Sequence, residues 1–173
     1  WRSEAPPPAN PPIGNGDRTG GYAQQMDTPN HHPLPDDLVA EARTRVCDRV
    51  DELAERLVAT SHAIHAEPEL NFEEHVAHEL LTNVLAEEGL PVVRGAYGLE
   101  TAFEADAGTE GPVLAVLCEY DALPGIGHAC GHNVIATAGL GAGLAAATVA
   151  AELGGRVRIL GTPAEEGGGD KVI

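Results

Sequence analysis

Val113-Leu114-Ala115-Val116-Leu117-Cys118 is an uninterrupted apolar run, as expected of a central strand covered on both faces. A second strand-like run, Arg156-Val157-Arg158-Ile159-Leu160-Gly161, follows a small-residue stretch over 133–153 that reads as a helix. Gly139, Gly141 and Gly143 within that stretch allow it to approach the sheet closely. Strands flanking a buried helix point to the α/β class, with a mixed central sheet and helices on both faces.

Upstream, Val39, Ala42, Val46, Val50, Leu53 and Leu57 recur at spacings of three and four, which predicts an amphipathic helix over Asp36–Ala66. Pro68 marks its end. A second helix is expected over 72–88, with Val76, Leu80 and Val84 on one stripe and Gly89 as its stop. Further strands are expected over 91–94 and 99–105. Residues 1–33 are rich in Pro, Gly and Asn, with few large apolar side chains, and read as a disordered tail. His31-His32 closes that tail and has no part in the expected site. No internal repeat is visible.

The 173 residues suffice for one domain with a core but are few for a two-domain enzyme. The sequence does not open on Met and stops at Ile173, soon after the Gly167-Gly168-Gly169-Asp170 turn, so a fragment is expected. A formal net charge of −17, from 27 acidic against 10 basic residues, opposes nucleic-acid or anionic-membrane partners. No apolar run reaches membrane-spanning length, and the opening Trp1-Arg2-Ser3-Glu4 lacks the apolar core of a secretory signal. The cysteines at 47, 118 and 130 form no even disulfide framework, which suits a reducing compartment and a cytoplasmic location. Cys47 and Cys118 read as packing residues, whereas Cys130 has ligand-type neighbours.

Those neighbours carry the chemistry. The stretch Glu119-Tyr120-Asp121-Ala122-Leu123-Pro124 leads to His128-Ala129-Cys130-Gly131-His132-Asn133, and Pro163-Ala164-Glu165-Glu166-Gly167 follows the last strand. The glycine of Cys130-Gly131-His132 permits a tight turn, so thiolate and imidazole can converge on one cation or on neighbouring ones. Zinc suits that donor pair. Strand carboxyl ends border the ligand crevice of open α/β sheets, so both motifs can meet there. If Glu165 and Glu166 are extended, their side chains point to opposite sides, one for a metal and one for substrate or water. The residues alone do not separate His128 from His132 as the ligand. Each motif alone has an ordinary reading as packing or solvated surface; the combination, with glycine flanks after two strand-like runs, favours a site.

Over residues 36–173 the sequence resembles the family of dinuclear-metal amidases and exopeptidases that includes aminoacylase, carboxypeptidase G and p-aminobenzoyl-glutamate hydrolase. His62-Ala63-Ile64-His65-Ala66-Glu67-Pro68-Glu69-Leu70 is similar to the leading segment of its amidohydrolase branch, and the two motifs above to its metal and catalytic turns. The resemblance implies that residues 34–173 are the N-terminal part of a catalytic domain. Cys130 would bridge two divalent ions, Zn2+ with Mn2+ or Co2+ as alternatives; His132 would bind one, Glu166 the other. Glu165 would be the general base and Asp121 would orient a ligand, with His128 structural and His62 and His65 packing residues. Asn133-Val134-Ile135 and the short loop from Pro124 to His128 are closer to the p-aminobenzoyl-glutamate hydrolase and aminoacylase-like dipeptidase subgroup. The implied activity is hydrolysis of N-acyl amino acids or small dipeptides by metal-activated water, in a protein that is a homodimer at full length. Two other readings remain open: a catalytically inactive metal-binding fragment or homologue, and a hydrolase with Cys130 as nucleophile.

Overall fold

The computed structural model describes residues 33–167. The expected tail over 1–33, apart from Pro33, lies outside the described residues, as does the end of the glycine turn from Gly168 onward. In chain order the elements are α1 (Asp36–Ala66), α2 (His75–Glu87), β1 (Val92–Arg94), a 3-10 turn (Ala96–Gly98), β2 (Phe103–Ala107), β3 (Val113–Cys118), α3 (His132–Ala147) and β4 (Arg156–Gly161). The sheet order is β1-β2-β4-β3. β3 and β4 are parallel, joined by the crossover through α3, and the other pairs are antiparallel. The mixed α/β architecture read from the sequence is the one observed.

One face of the sheet is buried. Phe103 stands opposite Gly161 and Ala105 opposite Ile159 in the β2–β4 register, and these four positions are buried. α3 packs there: a Cβ at Gly143 would meet the Ile159 side chain at 2.5 Å, and one at Gly139 the Leu117 carbonyl oxygen at 2.5 Å. Gly141 does not face the sheet as expected; a Cβ there would meet Leu57 of α1 at 2.6 Å, because a helix turns each successive residue by about 100°. α2 closes the same face through Leu81 and Leu85, which join Phe103, Tyr120, Leu140 and Ile159 in the core. Burying each such large side chain contributes about 1.5–3 kcal/mol.

The opposite face of β2 and β4 carries Glu104, Asp106 and Arg158. Arg158 grips Asp106 with two hydrogen bonds, at 2.8 and 2.6 Å, and reaches Glu104 at 3.3 Å. The expectation of helices on both faces is therefore met on one face only among the described residues. Likewise β3 is an edge strand of the described sheet, with Val113, Leu114 and Leu117 exposed; the covered central strand expected from its apolar run would need a neighbour on that edge.

α1, β3 and β4 have the bounds the sequence pattern predicts. Other boundaries differ for local reasons. α2 starts at His75, after Phe72 adopts a left-handed φ of 64°. The carboxylate of Glu69 accepts the Val76 and Ala77 N–H groups, each at 2.9 Å, satisfying donors that a helix start leaves open. The strand expected over 99–105 begins only at Phe103, following the 3-10 turn in which Tyr97 is left-handed. α3 ends at Ala147 and gives way to turns. Cys47 is exposed where packing was expected: the buried positions of α1 are Ala42, Leu53, Thr60, Ser61 and Ile64, a line that leaves residue 47 outside it. His62 and His65 are exposed for the same reason, since Ser61 and Ile64 take the inward positions. Cys118 is fully buried as expected, and burial pushes its thiol pKa up to about 12.

Candidate metal centre and active site

β3 and β4 run parallel, so their carboxyl ends lie at the same edge of the sheet and deliver Glu119 to Asp121 and Thr162 to Glu166 side by side. Thr162 donates its N–H to the Cys118 carbonyl at 2.9 Å, extending the pairing past the last strand residues. The third component arrives through a loop. Leu123 and Gly127 close it by a bridge, and Gly131 adopts φ 83° immediately before α3. That left-handed turn, which a glycine makes without steric cost, sets His132 at the first position of the helix.

His132 is buried and is the hub. Its Nδ1 lies 2.8 Å from the Asp121 carbonyl oxygen and 3.2 Å from Asp121 Oδ1. The proton on Nδ1 faces these acceptors, which leaves Nε2 as the basic edge. Around Nε2 stand Glu119 Oε2 at 3.7 Å, Glu165 Oε2 at 3.7 Å and Glu166 Oε1 at 3.9 Å. One ligand atom each from Glu119, His132 and Glu165 lie within 4.8 Å of one another. An imidazole and two carboxylates suit first-row divalent cations, zinc among them. So many acidic groups around one partly buried point are mutually repulsive unless a cation joins them. The residues present therefore fit a metal.

Asp121 is buried; its backbone carbonyl holds the imidazole and its Oδ2 accepts the Glu166 N–H at 2.9 Å, so one residue holds both the imidazole and the turn after β4. Glu165 and Glu166 are not extended. Ala164 is left-handed at φ 57°, and residues 165–167 form a turn. The opposed side chains expected from an extended pair are replaced by two carboxylates converging on the same imidazole, because the chain reverses directly after β4.

Cys130 lies outside the tight group and is exposed. The Glu166 carboxylate accepts from its thiol and raises its pKa, with further contributions from burial, Glu165 and Asp121. A thiol so surrounded stays protonated in the absence of a cation, the opposite of what a cysteine nucleophile requires. His128 is buried, with both ring nitrogens lacking hydrogen-bond partners among the described residues, and its ring lies 6.2 Å from that of His65. Burial lowers its pKa. Asn133 ties the first turn of α3 to α1 through its Nδ2 and Ser61 Oγ at 2.9 Å.

Sequence reasoning missed Glu119 as a participant. A signal was present: residues 119 and 121 alternate at a strand end and so face one side. Asn71 was missed as well. With its amide nitrogen toward Asp121 Oδ2 at 3.0 Å, its oxygen accepts the Gly167 N–H at 3.2 Å. No sequence signal links residue 71 to 121 and 167.

No family model matches the chain. The mouse Xaa-Arg dipeptidase is 48% identical over 144 residues, covering 75% of this chain and 33% of the relative. One chain of the p-aminobenzoyl-glutamate hydrolase of Escherichia coli K12 is 34% identical over 157 residues, covering 80% of this chain and 30% of the relative. Among solved structures, the Bacillus subtilis YXEP protein, described as a dinuclear metal binding peptidase from the M20 family, superposes with a TM-score of 0.61 at 30% identity, over 67% of this chain and 36% of its own. The chain thus spans about a third of the length of the curated relatives it matches, and it belongs to the M20 family of dinuclear-metal peptidases and amidohydrolases.

Proposed function

We propose that the protein is a metal-dependent amidohydrolase that cleaves the amide bond of N-acyl amino acids or small dipeptides. The observation that carries this reading is the set of three carboxylates around His132 Nε2, with Nδ1 held by Asp121. The similar proteins support it, since their names describe dipeptide and p-aminobenzoyl-glutamate hydrolysis. Zinc is the proposed ion, on the strength of the mixed imidazole, thiol and carboxylate donors. His132, Glu166 and Cys130 are the proposed ligands, and Glu119, whose carboxylate groups with His132 and Glu165, is added to them. A homodimer and a cytoplasmic location are proposed for the whole protein; three free cysteines agree with a reducing compartment. Among the described residues, no helix is long and apolar enough to cross a membrane.

Bound divalent ions would supply Lewis-acid polarisation of the scissile carbonyl and a water of lowered pKa. The chain supplies the rest. Asp121 fixes the tautomer of His132, so Nε2 stays a ligand and not a donor. Glu165 takes a proton from the attacking water on its carboxylate and returns it to the departing amine nitrogen as the tetrahedral intermediate collapses. The β4 turn keeps Glu165 and Glu166 beside His132 by handing the Glu166 N–H to Asp121.

The test is Glu165→Gln in the full-length protein, assayed on alanyl-arginine, N-acetylmethionine and p-aminobenzoyl-glutamate, with metal content measured in parallel. Turnover should fall by about 10²–10⁴-fold, the usual contribution of general acid–base catalysis, while metal content stays that of the wild type. A Gln variant that turns over normally removes Glu165 as the base.

A further inference from the structure

Glu74 is fully buried. A carboxylate is almost never found there unless it is hydrogen-bonded or paired, and the reading above gives it no role. Its Oε1 accepts the backbone N–H of Ala164 at 2.9 Å, and its Oε2 accepts the hydroxyl of buried Thr101, also at 2.9 Å. Ala164 is the residue directly before Glu165 and holds a left-handed φ of 57°. For a residue with a Cβ that conformation is strained by about 1–3 kcal/mol and persists only when its surroundings impose it.

The turn after β4 has left the strand ladder, so its N–H groups need other acceptors. Side chains provide three of them: Glu74 takes the Ala164 N–H, Asp121 the Glu166 N–H, and Asn71 shares the Gly167 N–H with the Ala164 carbonyl. Two of the three come from the short connection between α1 and α2, some ninety residues earlier in the chain. The same connection is itself anchored: the Glu69 carboxylate caps α2, and its carbonyl oxygen accepts the Ala122 N–H at 2.8 Å. Close packing fits the clamp, since a Cβ at Gly167 would meet the Asn71 amide at 2.0 Å.

We propose that Glu74 is a positioning residue: through its hydrogen bond to the Ala164 N–H it imposes the left-handed turn that aims Glu165 at His132, while Glu166 is held separately by Asp121. The proposal rests on the reading of Glu165 as base. Glu74 acts at a distance from the reacting atoms, so its removal changes the aim of the base more than substrate or metal binding. Misplacement of about 1 Å is enough to cost about 10²-fold in rate.

The experiment compares Glu74→Gln, Glu74→Asp and Glu165→Gln in the full-length protein, with alanyl-arginine, N-acetylmethionine and p-aminobenzoyl-glutamate as substrates. Both Glu74 variants keep a polar side chain in the buried site. Gln retains the reach and an acceptor oxygen for the Ala164 N–H, whereas Asp is one methylene too short. Expected is a drop in kcat of about 10- to 100-fold in Glu74→Asp, with KM and metal content unchanged, and near wild-type kcat in Glu74→Gln. Wild-type kcat in Glu74→Asp overturns the proposal, as does an equal loss in both variants or a loss that follows metal content. A Glu165→Gln protein that stays active overturns the underlying reading and this one with it; if that variant is dead while Glu74→Asp turns over normally, only the positioning role falls.

Discussion

Histidine 132 has two ring nitrogens and the fold assigns them separate environments. Nδ1 faces the Asp121 carbonyl and carboxylate, and Nε2 faces Glu119, Glu165 and Glu166. A ligating imidazole held in this way is more basic and correctly oriented, and loss of such a support typically costs about 10–100-fold in metal affinity. Asp121→Ala is therefore expected to weaken zinc binding by about that factor, read by competition against a chromophoric chelator. Because Asp121 also holds the Glu166 N–H, activity should fall further than metal loading explains. Unchanged affinity would mean that the backbone carbonyl of residue 121, which alanine keeps, orients the imidazole without the carboxylate. At this scale the motif Cys130-Gly131-His132 was legible in the sequence, because the tight turn is a local property of Gly131. The partners of His132 were legible only in part: Glu119 stands in the motif stretch, but which atom it faces depends on where α3 docks.

α2 shows how an element takes its properties from what it packs against. Its inward residues Leu81 and Leu85 pack into the core with Phe103, and His78 lies with its ring 6.1 Å from that of Phe103 and its Nε2 buried without a hydrogen-bond partner among the described residues. Burial lowers the His78 pKa, with Arg94 adding to the effect. A folded-state pKa below the unfolded one means that the unfolded chain binds the proton more readily. This histidine costs no stability above its unfolded pKa of about 6.5, and stability falls as pH drops through that value toward the folded pKa. The expected result is a loss of resistance to urea between neutral pH and about pH 5, smaller in His78→Gln than in the wild type. An identical decline in both would place the acid sensitivity elsewhere. The start of α2 was the boundary least legible in sequence. The strand runs β3 and β4 and the long helix α1 carry their own period or apolar continuity, whereas α2 begins where Glu69 caps it from six residues before His75.

For the molecule as a whole, the described sheet ends at β3 with Val113, Leu114 and Leu117 exposed. An open apolar edge strand is a template for pairing with another chain, and contiguous exposed apolar surface drives association. The net charge of −17 opposes that association over long range, but salt screens it beyond about 8 Å at physiological ionic strength. The chain alone is expected to self-associate as salt is raised, and Leu114→Lys, at an exposed edge position, is expected to suppress this in light scattering. Equal scattering from both would exclude the β3 edge as the contact.

The sequence by itself determined what depends on near neighbours. The amphipathic period of α1, the apolar continuity of β3 and β4, the glycine turn before α3 and the pairing of two acidic residues after β4 are each written within a few positions. The family resemblance, carried by those same motifs, agreed with the similar proteins. Tertiary structure decided what depends on residues far apart in the chain. It brought Asn71 and Glu74 to the turn at 164–167 and Asp121 to Glu166. It also bent Glu165 and Glu166 onto one imidazole instead of opposite sides. The reason is physical: past the strand ladder the Gly167 N–H finds the Ala164 carbonyl within the turn, but the Ala164 and Glu166 N–H groups are taken by Glu74 and Asp121, so the turn's conformation depends on distant side chains that the packed fold delivers to it.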